Sequence, residues 1–185
     1  MIFKSVEHAL KWSFQVSNTS IVNISSINSM RGSSGSGEMT QHDKHAQAAL
    51  IISMADRLLD MSEMAWVLAK YGDGLTKGDY SQRDGKNERL AQSRAIEDQL
   101  TKMVIQSLPT GVHSRRGYAK LVRCYFGQQI GVHSIRTDLK CAMANVATHR
   151  HAVYDVMDAV WRRAHPKLED QMREQGLILV EVMYG

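Results

Sequence analysis

Proline and cysteine are scarce in this chain. Its 185 residues include 2 of each, and only 3 phenylalanines stand beside 11 methionines. With so few prolines, long stretches keep every backbone donor a helix needs. Cys124 and Cys141 are too few for a disulfide framework and read as reduced thiols of a cytosolic protein. No apolar run is long enough to cross a bilayer, so no membrane partner is expected. The opening MIFKSVEHALKW is broken by Lys4, Glu7, His8 and Lys11, which excludes the continuous apolar centre of a signal peptide. The expected location is therefore cytoplasmic.

Several chemistries are also missing. There is no glycine loop to cradle phosphates and no nucleophile elbow. His113, Cys124, His133 and Cys141 never come close enough in sequence to form the tight ligand pairs of zinc sites. His149 and His151 are two apart and fall on different helix faces, and His42 with His45 has no third ligand nearby. Asp155 and Asp158 read as a solvated pair or as partners of Arg162. A nuclease built from Asn145, His149 and His151 needs a ββα metal fold, which this helical pattern does not provide. The chain is thus expected to be no enzyme, with no cofactor and no metal.

What is present is concentrated charge. The net charge is +4. Residues 113–163 hold nine Lys or Arg against three Asp, a net of +6, so the remainder is close to −2. Such a region suits a nucleic-acid partner, although a solvated basic face has the same composition.

Hydrophobic spacing predicts an all-α protein. Val6, Leu10 and Phe14, with Ala9 and Trp12 nearby, mark a first amphipathic helix. Residues 1–31 form an N-terminal helical segment in which Ile21, Ile24 and Ile27 recur in a polar background. A Gly/Ser-rich linker follows at 32–40. A helical domain then spans 41–185. Thr40 caps its first helix, with Asp43 in the capping-box position. Ala46, Ala49, Leu50, Met54 and Leu58 form the expected inner face. Ser62 is the expected cap of the next helix. Residues 72–87 read as a mobile glycine-rich insertion. Leu90, Ile96, Leu100, Met103 and Val104 then face inward until Pro109. Tyr118, Leu121, Val122, Tyr125 and Phe126 form one face closed by Gly127. The longest helix is expected over 143–164, with Pro166 interrupting it. The apolar tail LILVEVMYG is a docking strand or a helix end, and with the methionine-rich composition it allows a homodimer.

The tetrapeptide Gly-Val-His-Ser occurs at 111–114 and again at 131–134. Each copy opens a helix, with Ser114 and Ser134 as candidate caps. The second introduces a short helix to Leu139, a turn near Lys140–Ala142 and the long helix. This order is that of a helix-turn-helix at about 134–160. Ala144, Asn145, Thr148 and His151 oppose the apolar stripe in the first turns of the long helix, with His149 at its margin. Asparagine can pair with adenine, and threonine can meet a base or a thymine methyl. Arg115, Arg116, Arg136 and Lys140 are candidate phosphate contacts, and Ser134 lies at the helix start. Arg150 falls near the apolar face and is expected to pair internally.

Three segments resemble the phage late-gene antitermination proteins of the Q type, in their short, zinc-free form. ALKWSFQVSNTSIVNISSI (9–27) is similar to the family's tryptophan-containing opening helix. DKHAQAALIISMADRLLDMSEMAWVLAKYGDG (43–74) is similar to its central helix pair. FGQQIGVHSIRTDLKCAMANVATHRHAVYDVMDAVW (126–161) is similar to its sigma-factor-like helix-turn-helix. The 72–116 insertion and the 32–37 Gly/Ser stretch depart from short members. The resemblance implies a non-catalytic protein that binds double-stranded DNA near a late promoter, engages the host RNA polymerase and suppresses termination. A DNA-binding packaging protein or repressor, and a protein-interaction module with a basic surface, are the alternatives.

Overall fold

The helical periodicity is realised throughout the part of the chain that the computed structural model describes, residues 2–18, 39–72, 75, 88–108 and 114–178. Seven helices occur among the described residues: α1 (Val6–Asn18), α2 (Gln41–Leu58), α3 (Met61–Tyr71), α4 (Glu88–Ser107), α5 (Arg115–Tyr125), α6 (Val132–Leu139) and α7 (Met143–Glu174). None of these helices is long and apolar enough to cross a membrane. The chain divides into two compact units, Met1–Leu58 with Leu168–Gly185, and Leu59–Lys167. This is not the division drawn at 32–40. That linker lies almost wholly outside the described residues, as do Ile21, Ile24 and Ile27, while α1 packs on α2 within the first unit.

In the first unit α1 buries Val6, Ala9, Leu10 and Phe14, the face its spacing predicts. Thr40 and Asp43 cap α2 reciprocally. The Asp43 N–H donates to Thr40 Oγ1 at 3.1 Å, and the Thr40 N–H to Asp43 Oδ2 at 3.2 Å. The Thr40 hydroxyl also donates to this carboxylate, and these bonds hold the Asp43 pKa below its ordinary value. The buried face of α2 is rotated from the expected one. Ala48, Ile51, Met54 and Ala55 are buried, whereas Ala46 and Ala49 are exposed and Leu50 is 49% exposed. Apolar residues surround much of this helix, so spacing alone permits more than one stripe and packing against α1 selects one. Pro166 does not interrupt α7, which continues to Glu174. Leu177 and Ile178, the last described residues, meet Phe3 in an isolated parallel bridge. The Phe3 N–H donates to Leu177 O at 2.7 Å, and Phe3 pairs in parallel with Ile178.

The second unit opens with a different cap from the expected Ser62. Asp60 Oδ1 accepts the N–H groups of Ser62 and Glu63 at 2.8 and 2.9 Å, and Glu63 Oε2 accepts the Asp60 N–H at 3.0 Å. This Asp-x-x-Glu box satisfies donors from both directions. Glu63 is fully buried, and Lys167 Nζ donates to both its oxygens at 2.7 and 2.8 Å. The core centres on Trp66, whose ring stacks on Trp161 at 4.6 Å and meets Tyr71, Tyr125 and Phe126 edge-on. Leu75 is buried and its carbonyl accepts from Gln128 Nε2 at 2.8 Å, while residues 76–87 of the expected insertion lie outside the described part. In α4, Leu100 and Val104 face inward as expected, but Ser93, Glu97 and Thr101 share that buried face, and Ile96 and Met103 are only half-buried. Glu97 is there because Arg123 of α5 donates to both its oxygens, at 2.9 and 3.0 Å.

Helix α5 begins at Ser114, whose Oγ accepts the Gly117 N–H at 3.3 Å, and buries Tyr118, Leu121 and Val122. Leu139 of α6 packs directly against Gly117. A Cβ there would stand 2.5 Å from Leu139 Cδ2 and 3.0 Å from the Leu139 backbone nitrogen. Only hydrogen at this position permits the approach. Helix α5 stops at Gly127, which has φ +89°. The Gln128 N–H returns to Arg123 O and the Gly127 N–H to Cys124 O, both at 3.0 Å, satisfying carbonyls of the last turn.

Candidate nucleic-acid interface

Ile135 and Leu139 seat α6 in the core. Their spacing leaves His133, Arg136, Thr137 and Lys140 on the other side, with Arg136 half-buried and the rest exposed. Lys140 ends the helix in the left-handed conformation, at φ 53° and ψ 40°. It is the only non-glycine residue with positive φ among those described. Cys141 and Ala142 complete a short turn, and α7 starts at Met143. A short helix, a tight turn and a long helix therefore occupy the expected positions.

Val146, Val153, Met157 and Val160 bury one side of α7. Ala144, Asn145, Ala147, Thr148 and His151 are exposed along its first turns. The four expected base-facing residues 144, 145, 148 and 151 thus lie in solvent. His149 does not join them. Its ring is half-buried edge-on to Tyr118 at 5.8 Å, and Nδ1 lies 3.0 Å from the Tyr118 hydroxyl. It acts in packing rather than at the exposed face. Burial, with a smaller contribution from Cys141, pushes the Tyr118 phenol up, so it remains a neutral hydrogen-bonding group.

The basic residues separate into paired and unpaired groups. Arg115 lies 3.0 Å from Asp98, both well exposed. Arg116 and Lys120 converge on Asp138, at 3.3 and 2.5 Å. Ser134 is inside α6 rather than at its cap, which is Gly131 with no side-chain oxygen over the first amides. Ser134 is half-buried and its Oγ accepts from Lys120 Nζ at 2.6 Å, so it serves the packing of α5 on α6. Asp158 accepts from the Tyr125 hydroxyl at 2.6 Å instead of pairing with Arg162. Burial first, and then this bond, raise the Tyr125 pKa. Among the described residues no ion pair holds Arg136, Lys140 or Arg150. The positive potential of the turn region therefore rests on Arg136 and Lys140, with Arg115 and Arg116 contributing in part.

His133 and Thr137 were absent from the expected set. Their signal was legible, since 133, 136, 137 and 140 follow helical spacing opposite Ile135 and Leu139. Among the described residues no group of three or more His, Cys, Asp or Glu side chains is arranged to hold a metal ion. Comparison with protein-family models, with curated proteins and with solved structures returned no match.

Proposed function

We propose that the chain is a DNA-binding transcription regulator that places the first turns of α7 in a major groove. In this reading Asn145, Thr148 and His151 face base edges, Ala144 allows close approach, and Arg136 and Lys140 hold phosphates. The observation that carries it is the exposed series of α7 at 144, 145, 148 and 151 immediately after a tight turn, beside Arg136 and Lys140, which no acidic side chain pairs among the described residues. Arg115 and Arg116 are weaker phosphate contacts, because binding must loosen Asp98 and Asp138. Following the resemblance to Q-type antiterminators, the regulator acts on host RNA polymerase at a phage late promoter and allows readthrough of terminators.

Duplex binding followed by fluorescence anisotropy tests the DNA step. Asn145→Ala and Thr148→Ala are expected to weaken specific binding by roughly 5- to 100-fold each, from about 1–3 kcal/mol per base contact. Arg136→Ala is expected to weaken all duplexes alike and to reduce the salt slope by about one. Binding that is unchanged in all three variants removes the groove reading, and absence of salt-dependent duplex binding by the wild type leaves the protein-interaction module. Purified transcription across a terminator, from the phage's own late promoter, then separates the roles. Readthrough supports antitermination; DNA binding without readthrough supports the packaging or repressor reading.

A further inference from the structure

An open cleft of about 470 Å³ lies where the end of α5, the connector to α6 and the third turn of α7 meet, lined by Cys124, Gln128, Gln129, Ile130, Gly131, Arg150 and Tyr154. Its volume is within the range of small-ligand sites. Arg150 was expected to find an internal carboxylate. None is provided: its Nε is buried without a hydrogen-bond partner, and no ion pair holds the guanidinium among the described residues. The residue as a whole is half-buried, and its unmatched Nε marks a point where the guanidinium is drawn from water with no acceptor of its own.

The other lining groups are of the same sense. Among the described residues no carboxylate lines the cleft. Burial pushes the Cys124 thiol and the Tyr154 phenol up, so both stay neutral near pH 7 and leave the Arg150 charge uncompensated. Gln129 supplies an exposed amide at the rim. Gly131, also in the lining, is the N-cap of α6 and sets no side-chain oxygen over its first amides. Cation, amide, phenol and free helix start can all donate, and an anion with several acceptor oxygens satisfies them together.

We propose that this cleft is a phosphate-binding site in which the Arg150 guanidinium is the principal anchor. The site stands apart from the exposed series 144, 145, 148 and 151, because Arg150 and Tyr154 fall on the flank of α7 toward its buried stripe. Its ligand is a phosphate group, carried either by a free phosphorylated small molecule or by the nucleic-acid backbone. The proposal does not depend on the groove reading.

The test uses the full chain, inorganic phosphate as the probe and alkylation of Cys124 as the readout. Cys141 does not line the cleft and is the internal reference. Phosphate, but not chloride at matched ionic strength, is expected to slow Cys124 alkylation saturably and leave Cys141 unchanged. Arg150→Gln is expected to weaken this protection at least about tenfold, the scale of one charged hydrogen-bonding group. Arg150→Lys should retain part of it, which separates loss of charge from loss of fold. Equal protection in wild type and Arg150→Gln, or equal slowing of both cysteines, overturns the site. A duplex arm identifies the source. Protection of Cys124 by DNA, lost in Arg150→Gln, assigns the phosphate to the backbone; protection by inorganic phosphate alone assigns it to a free ligand.

Discussion

Lys140 combines two roles that pull in different directions. A β-carbon in the left-handed region costs about 1–2 kcal/mol, and glycine would relieve this at an entropic cost of roughly 0.5–1 kcal/mol. Lys140→Gly is therefore expected to raise stability by about 0.5–1 kcal/mol in denaturant unfolding. In the groove reading the same substitution removes a phosphate contact and flattens the salt dependence of DNA binding by about one in slope. A variant that gains stability and keeps the full slope would show that Lys140 only ends α6. His149 illustrates a limit of residue-level reading. Helical geometry put it at the margin of the exposed face, and only the Tyr118 ring and hydroxyl draw it inward.

At the level of the element, helix starts follow local chemistry. The Thr40–Asp43 box was legible because both partners lie within one turn. Asp43 has a lowered folded pKa, so its capping contribution is complete above the unfolded value near about 4 and is lost as pH falls through the folded one. Protection of the first-turn amides of α2, relative to their intrinsic exchange rate at each pH, is expected to persist as the pH falls through the ordinary carboxylate range and to be lost only below it. In Thr40→Val the Asp43 titration should move up toward the ordinary value, and the protection should be lost at higher pH. Identical titration in both proteins would mean that the hydroxyl does not hold the carboxylate. Ser62 and Ser134 misled because serine caps helices only when no better frame competes. Asp60 with Glu63 supplies one two residues earlier, and Gly131 starts α6 before Ser134 can. Gly117→Ala, which sets a methyl group against Leu139, is expected to cost about 1–3 kcal/mol by overpacking, read as a lowered denaturation midpoint at unchanged slope. An unchanged midpoint would mean that α6 withdraws from α5 freely.

At the scale of the whole molecule, charge was read as surface, yet the carboxylates of Glu63 and Glu97 are internal. Arg123 is 17% exposed and Glu97 9% exposed at their side chains, tying α5 to α4. Glu97→Gln removes the charge from the carboxylate that both Arg123 nitrogens meet and is expected to destabilise by about 3–5 kcal/mol in equilibrium unfolding. A loss under about 1 kcal/mol would show that the pair behaves as a solvated surface bridge. By itself the sequence determined the helical class, the caps at Thr40–Asp43 and Ser114, the apolar faces of α1 and α5, and the order of short helix, turn and long helix. These depend on contacts a few residues apart, so spacing encodes them. Tertiary structure alone decided which stripe of α2 is inside, why Glu63 and Glu97 are buried, where Phe3 meets Leu177 and Ile178, and which cations around Lys140 and Arg150 have no ion-pair partner among the described residues. Each of these depends on groups far apart in the chain, whose meeting no local period can specify.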